Sequence, residues 1–226
     1  MFDYAQDMGK ETREAILDAA EALFAEHGFR GTSLRAITQA AGVNLAAVNY
    51  HFGSKQALVE AVFARRIEPM NRERLARLQR WEAAGCGDLE GLIDAFAGPP
   101  LELAGEPRGA RFVRLLGRSY TEPDERLQAA IRGMYEPVIE RFKQAFARVL
   151  PHLPAPELYW RLHFLVGLLA YLMSGADLMR LIASCRLCDP LDVEALKSRL
   201  QRFVAAGLRA PVPREQGAVP AVRRGG

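Results

Sequence analysis

The sequence predicts an all-α fold with a small N-terminal helical domain and a larger C-terminal one. Apolar residues recur at helical spacing along most of the 226-residue chain. No segment shows the period-two alternation of a half-buried strand. Clusters of glycine and proline interrupt the helical pattern and mark where helices end. Half of the residues are hydrophobic, which is enough to bury a substantial core.

The first helix is predicted over residues 10–27. Ile16, Ala20 and Leu23 fall on one face at helical spacing, and acidic side chains occupy the opposite face. Gly28 follows directly and is expected to end the helix, because glycine adopts the left-handed conformation common at helix ends.

Two short helices follow, and a glycine turn joins them. Thr32 is expected to cap the second helix, and Gly42 is expected to end it. Asn44 is expected to cap a short third helix. A fourth helix is predicted from Lys55, and Pro69 is expected to kink or end it because proline lacks the backbone donor that a helix interior needs.

The remaining chain is predicted to form longer helices and a flexible tail. The predicted helices cover residues 70–84, 88–98, 107–121, 124–149, 155–184 and 190–207. The tail, residues 210–226, is rich in proline and glycine and has no apolar period, so we expect it to be mobile.

The charge distribution supports a nucleic-acid partner for the short helices. Two short helices joined at a glycine and braced on both sides are the layout of a helix-turn-helix DNA reader. Between His27 and Val59 there is no Asp or Glu, whereas Arg30, Arg35 and Lys55 are cationic. A phosphate-facing surface requires this exclusion, since carboxylates would be repelled by the DNA backbone. The net charge of +3 is small, so the prediction depends on where the charges lie.

The side chains of the third helix suit a DNA groove. Asparagine can read a base edge, and small apolar groups can contact a thymine methyl. Hydroxyl, imidazole and ammonium groups near helix ends can bond phosphate. The outward residues are predicted to be Asn44, Leu45, Ala47 and Asn49, with Tyr50, His51 and Lys55 at the helix end for phosphate.

Residues 31–63, GTSLRAITQAAGVNLAAVNYHFGSKQALVEAVF, resemble the N-terminal DNA-binding domain of TetR-family transcriptional regulators. The resemblance extends over roughly residues 9–69 and includes the Thr-Ser-hydrophobic-Arg, Ala-Gly-Val and His-Phe-x-x-Lys patterns. It implies a double-stranded operator DNA partner, with further contacts from Thr32, Ser33 and Arg35 and groove entry by residues 44–49, Ala46 included.

The chain departs from the family pattern at the end of this motif. The family usually has tyrosine where this chain has Asn49, and a small residue or lysine where it has Leu45. Tyrosine is displaced to Tyr50. Whether Asn49 or Tyr50 contacts DNA therefore stays open.

The larger half is implied by the resemblance to be a ligand-binding and dimerisation domain. We accordingly divide the chain into a DNA-binding domain over residues 9–69, a ligand-binding and dimerisation domain over 70–209, and the tail. Helix 155–184 is apolar around nearly its whole circumference, which indicates a partner surface. The resemblance implies that this surface and helix 190–207 form a four-helix homodimer interface. The predicted interface residues are Leu165, Leu169, Leu172, Leu196, Leu200 and Phe203.

The run VNLAAVNYHFGSK, residues 43–55, together with residues 111–123 and 157–177, resembles a narrower branch, the PsrA-type regulators that sense fatty acids or their derivatives. This resemblance implies a repressor that a small apolar effector, such as a fatty acid or acyl-CoA, releases from DNA. Taken singly, each candidate pocket residue is more often an ordinary core residue. The candidate ligand-binding residues are Phe112, Leu116, Tyr120, Met134, Phe164 and Leu168.

Other functions receive less support. The chain has no nucleophile elbow, zinc-protease helix, P-loop or dinucleotide-binding motif, so we predict no enzyme activity and no cofactor. Cys185 and Cys188 form a C-x-x-C without a second ligand pair, which indicates helix-end packing and no metal. We see no signal peptide and no membrane-spanning segment and expect a cytoplasmic protein. A DNA-binding regulator without an effector remains an alternative.

Overall fold

A computed structural model describes residues 2–119, 125–173 and 192–212, and these residues form nine helices and no strand. The predicted all-α fold is confirmed. The helices are α1 (Phe2–Gly31), α2 (Leu34–Ala41), α3 (Leu45–Phe52), α4 (Lys55–Ala83), α5 (Leu89–Gly105), α6 (Pro107–Ser119), α7 (Glu125–Val149), α8 (Ala155–Met173) and α9 (Val193–Arg209). Within these ranges, none of the helices combines the length and apolar character needed to cross a bilayer. Cys185 and Cys188 lie outside the described residues.

The N-terminal bundle consists of α1, α2, α3 and the first half of α4. Its core is aromatic: the Phe29 ring lies 5.4 Å from that of Phe24 and 5.7 Å from that of Phe63. Ile37 from α2 and Val48 from α3 are fully buried against it. This core fixes the orientation of the two short helices, since each has an inward residue held in the bundle.

Gly28 bends α1 and does not end it. Its φ of 73° is in the left-handed region that favours glycine, and the helix resumes after it and extends to Gly31. The prediction that α1 ends at Gly28 was therefore off by one short turn, because the glycine supplies a kink between two helical segments.

Of the two outcomes predicted at Pro69, a kink or an end of the helix, the end is wrong. α4 is continuous from Lys55 to Ala83, although a proline inside a helix costs about 3 kcal/mol. Ile67 and Met70 are buried on either side of Pro69, which itself is exposed. Packing of both halves of the helix outweighs the lost hydrogen bond. The domain boundary proposed at residues 69 and 70 falls inside this helix, so α4 belongs to both halves of the protein.

The C-terminal part packs α5 against α4, α7 and α9. The rings of Phe96 on α5 and Phe142 on α7 lie 5.1 Å apart in an edge-to-face arrangement. On the other side of α5, the Glu102 carboxylate binds Arg77 of α4 and, at 2.6 Å, the Lys197 ammonium of α9. This ion-pair cluster ties three helices together.

Replacing Glu102 with glutamine is expected to reduce stability at neutral pH and to leave it nearly unchanged in strong acid. The hydrogen bond from Arg77 is the largest cause that lowers the pKa of Glu102, from 4.5 to about 2. A lowered carboxyl pKa adds stability above the unfolded-state value, and this is lost as the pH falls through the folded-state value. The difference in free energy of unfolding between the two proteins should shrink from pH 4.5 to about 2 in urea titrations.

The control for this measurement is Glu68→Gln. Glu68 is an exposed carboxylate on α4 that forms no ion pair with a described residue. A gap between wild type and Glu102→Gln that stays constant with pH would show that the charge of Glu102 contributes nothing to stability.

Candidate nucleic-acid interface and internal cavity

The turn between α2 and α3 is built from local hydrogen bonds. Gly42, with a φ of 67°, closes α2, and the Val43 amide donates to the Thr38 carbonyl at 3.0 Å. The Asn44 Oδ1 accepts from the Ala47 amide at 2.9 Å, as the capping prediction requires. The cap uses one lone pair of the Asn44 side-chain oxygen, so the amide NH2 group and the second lone pair are left for DNA.

α3 presents one buried and one exposed face. Val48 is fully buried, whereas the Leu45 and Tyr50 side chains are 51% and 86% exposed. Asn49 is exposed beside them. Insertion of the outer face of α3 into a DNA groove would explain why a leucine and a tyrosine are exposed on this short helix.

The remaining candidates differ in how accessible they are. Ser33, Arg35, Asn44 and Ala46 are exposed, whereas Ala47, His51 and Lys55 are half-buried. With the exception of Thr32, the predicted DNA-contacting residues are thus at least partly accessible to solvent.

Thr32 was misplaced by the sequence analysis. Ser33 is the N-cap of α2, and its Oγ accepts from the Ala36 amide at 3.1 Å. Thr32 is buried, with its hydroxyl 2.9 Å from the Gly28 carbonyl oxygen and 3.1 Å from that of Leu23. The Thr32 hydroxyl therefore donates to backbone carbonyl groups at the bent end of α1 and is not available to a phosphate.

Three acidic residues that precede the helix-turn-helix region lie on α1, where they form ion pairs with α4. Glu14, Asp18 and Glu21 on α1 bind the Arg65 guanidinium at 3.2, 2.7 and 2.6 Å. Arg66 donates to Glu21 as well, at 2.9 Å. These bonds clamp α1 to α4. The anions are held between the two helices and not on the exposed surface of α3.

Lys55 has a bond that its sequence position did not predict. Its ammonium donates to the Phe29 carbonyl at 2.6 Å, which joins the start of α4 to the bent end of α1. An ammonium group has three donors, so Lys55 can hold this carbonyl and a phosphate together. Arg35 is exposed and forms no ion pair with a described residue.

We predict that Arg35→Ala and Lys55→Ala each flatten the salt dependence of DNA binding by about one unit of slope. Lys55→Ala is also expected to lower the free energy of unfolding by about 1–3 kcal/mol, because the Phe29 carbonyl loses its donor. Binding at several salt concentrations and urea unfolding measure the two effects, with Arg72→Ala, an exposed site on α4, as control. An unchanged slope in Arg35→Ala would remove Arg35 from the interface.

The second candidate site is a partly open internal cavity of about 590 Å³, lined by residues of α4, α5, α6, α7 and α8. This volume is in the range of small-molecule sites. Its described lining residues are Arg74, Phe96, Pro100, Ser119, Gln128, Ile131, Arg132, Tyr135, Glu136, Ile139, Val166, Leu169 and Met173.

The sequence-based choice of ligand-binding residues does not match this cavity. Phe112 and Leu116 are fully buried because the apolar face of α6 points into the core, where the Phe112 ring lies 5.8 Å from that of Phe63. Met134 packs beside the core and is not among the lining residues. Phe164 and Leu168 line a separate surface groove. Tyr120 lies outside the described residues.

The surface groove lies between α8 and α9 and has a volume of about 670 Å³. Phe164 and Phe203 on its walls are 59% and 69% exposed, and Tyr171 is exposed beside them. Trp160 is also exposed, with its ring 6.0 Å from that of Phe164. This cluster, which we call the α8–α9 aromatic face, is a contiguous exposed apolar patch.

Three of the predicted dimer-interface residues are buried in their own protomer. Leu165 and Leu200 belong to the core, and Leu169 lines the internal cavity. Leu172 and Leu196 are half-buried against the same core. Of the predicted set, Phe203 is the residue whose side chain is mostly exposed.

The fold agrees with the comparisons to known proteins. Residues 16–62 match the bacterial regulatory proteins of the tetR family, and residues 94–207 match the tetracyclin repressor-like C-terminal domain. The chain belongs to the TetR family. The predicted family is therefore confirmed, and so is the prediction of a DNA-binding transcriptional regulator and not an enzyme.

Individual relatives of this TetR-family regulator extend over most of its length. The HTH-type transcriptional repressor Rv1474c of Mycobacterium tuberculosis is 33% identical over 184 residues, 76% of this chain and 87% of that protein. NalD of Pseudomonas aeruginosa is 27% identical, with a TM-score of 0.61 over 87% of this chain and 96% of that chain. The fatty acid degradation regulator FadR from Bacillus halodurans shares the fold, with a TM-score of 0.63 at 18% identity over 88% and 97% of the two chains.

Proposed function

We propose that this TetR-family regulator is a homodimeric repressor that leaves its operator when a small, largely apolar ligand occupies the internal cavity. The observation that carries this proposal is the continuity of α4. Lys55 begins the helix at the candidate DNA surface, and Arg74 lines the cavity on the same helix. A rigid helix can transmit a displacement at the cavity to its other end at the DNA surface. A cytoplasmic location is part of this proposal.

Operator binding is assigned to the exposed face of α3 and its flanks. α3 is the proposed recognition helix, and its exposed residues Leu45, Asn49 and Tyr50 are assigned to the major groove. Arg35 and the ends of α2 and α4 flank this helix and are suited to phosphate.

A second copy of the chain is the proposed partner of the α8–α9 aromatic face. Exposed aromatic rings of this kind are enriched at protein interfaces. A two-fold dimer built on this face places two identical DNA-binding domains on one assembly, which suits a symmetric operator. Phe164 and Leu168, which the sequence predicted to bind the ligand, are therefore assigned to the proposed dimer interface.

Release follows from linkage between the two sites. Two DNA-binding domains engage both half-sites only at the correct separation, about one helical turn of DNA. A ligand that binds more tightly to dimers with another separation weakens DNA binding by the ratio of its affinities for the two states.

The repressor output is supported by the relatives. Rv1474c is named a transcriptional repressor, and NalD is described as the secondary repressor of the MexAB-OprM multidrug efflux pump. The resemblance to PsrA-type regulators in residues 111–123 and 157–177 favours a fatty acid or an acyl-CoA as the ligand.

The test begins with genomic footprinting to find the operator. Fluorescence anisotropy of that operator is then followed while fatty acids, acyl-CoAs and neutral apolar compounds are added. We expect at least one of them to lower operator affinity. If none does, the protein is a DNA-binding regulator without a small-molecule effector, and the release mechanism is wrong.

A further inference from the structure

A buried arginine of α8 binds the C-terminal end of α9. The Arg161 side chain is 8% exposed. Its Nη1 donates to the Gly207 and Leu208 carbonyl oxygens, both at 3.0 Å. The chain just after α9 is bound as well, through the Ala210 carbonyl at 2.7 Å and the Pro211 carbonyl at 3.3 Å. We call these four hydrogen bonds the Arg161–α9 contact.

The end of a helix is a suitable place for a guanidinium group. The last four carbonyl groups of a helix have no partner within it, and the helix dipole adds partial negative charge there. A guanidinium has five donors and no acceptor, so it can bond several carbonyl groups at once. The Nε of Arg161 donates to the Glu157 Oε1 at 2.8 Å, about one turn earlier on α8. The guanidinium is therefore oriented from its own helix while it binds α9.

The Arg161–α9 contact lies within the α8–α9 aromatic face. Arg161 and Gly207 line the same groove as Phe164 and Phe203. About one helical turn separates Phe164 from Arg161 on α8, and about one turn separates Phe203 from Gly207 on α9. Because the contact joins the two helices next to both rings, it helps to set the distance between these rings.

Other ion pairs hold α9 to α5. The Lys197 ammonium binds Glu102 at 2.6 Å, and the Arg209 Nη2 donates to the Glu90 Oε2 at 2.7 Å. These bonds fix α9 on the side of α5. Arg161 adds directional hydrogen bonds from α8 at the same end of α9, so the end of the helix is held from two sides.

From these observations we propose that Arg161 is a positioning residue of the dimer interface. It holds the end of α9 against α8 and thereby keeps Phe164 and Phe203 at the separation that a second copy of the chain requires. A surface that is ordered before association loses less conformational entropy when the partner binds. This inference rests on the proposed function, since it takes the α8–α9 aromatic face as the dimer interface.

The first test compares dimer dissociation constants by sedimentation. Arg161→Met removes the donors and keeps an unbranched side chain, whereas Arg161→Lys keeps a positive charge with three donors on a narrower group. We expect the dissociation constant of the dimer to rise about tenfold or more in Arg161→Met and by a smaller factor in Arg161→Lys. An unchanged dissociation constant in Arg161→Met would overturn the proposal.

The matched control for this comparison is Arg148→Met. Arg148 also joins two helices, since it binds Glu82 from α7 to α4, and it lies outside the groove. Its loss should leave the dimer dissociation constant within about twofold of the wild-type value, because an exposed ion pair contributes little. An equal rise in Arg148→Met and Arg161→Met would show that the rise does not depend on the Arg161–α9 contact, and the proposal would be wrong.

A double-mutant cycle separates positioning from a general loss of stability. Phe203→Ala is introduced into the wild type and into Arg161→Met. We expect it to raise the dimer dissociation constant about tenfold in the wild type and about threefold or less in Arg161→Met, where the ring is no longer held in place. Equal factors in the two backgrounds would overturn the proposal. If Arg161→Met does not fold, the cycle is run with Arg161→Lys and interpreted in the same way.

Failure of this proposal is distinguishable from failure of the proposed function. If the Phe203→Glu protein remains dimeric, the α8–α9 aromatic face is not the interface and both proposals fail. If Phe203→Glu separates the protomers while Arg161→Met leaves the dimer dissociation constant unchanged, the interface stands and the positioning role of Arg161 is wrong.

Discussion

Replacing Phe203 with glutamate is expected to separate the protomers and to weaken operator binding by about two orders of magnitude or more. Phe203 is 69% exposed in the α8–α9 aromatic face and would be covered by the second copy. A carboxylate buried there without a counter-charge costs several kcal/mol. A separated protomer then binds one half-site and loses the second, effectively intramolecular contact. Sedimentation and anisotropy measure the two effects.

The matched control for this variant is Ala147→Glu. Ala147 is exposed on α7 and lies outside the groove, so the control adds the same negative charge without touching the proposed interface. The control should remain a dimer and keep its operator affinity. A Phe203→Glu protein that remains dimeric would exclude this face as the interface.

The Asn49→Ala variant is expected to lose its preference at one base position of each half-site. Asn49 is exposed on α3, and a bidentate asparagine contact to adenine discriminates by about 1–3 kcal/mol. The Tyr50→Ala variant should instead weaken binding to all sequences, since a hydroxyl at the end of α3 is placed for phosphate. Affinities for operators with each base replaced in turn measure both effects.

Gln79→Ala controls for the loss of an exposed amide near the C-terminal end of α4, the end that lies farther along the chain from α3. It should leave both affinity and preference unchanged. A preference that is lost in Tyr50→Ala and retained in Asn49→Ala would assign base reading to Tyr50.

The short-range features of the fold were predictable from sequence because they depend on neighbouring residues. Asn44 caps α3, Gly42 ends α2 and Val48 points inward, and each of these follows from local hydrogen bonding or helical period. The error at Thr32 has the same origin, since threonine and serine are both good caps and the structure uses the second.

The features set by long-range packing were not predictable in this way. α4 continues through Pro69 because distant residues pack on both of its halves. α8 is apolar on nearly all sides, so its sequence does not tell which leucine faces the core. Leu165 and Leu169 point inward, whereas Phe164, one position away and rotated by about 100°, points outward. The cavity is a space between five helices, which no single segment encodes.

The central claim is that a dimer reads DNA with the exposed face of α3, and selection of binding sites from a random double-stranded DNA library by the full-length protein tests it most directly. We predict enrichment of an inverted repeat whose half-sites have centres separated by about one helical turn, or a multiple of it. Enrichment of a single unrepeated site, or of no sequence at all, would contradict the claim.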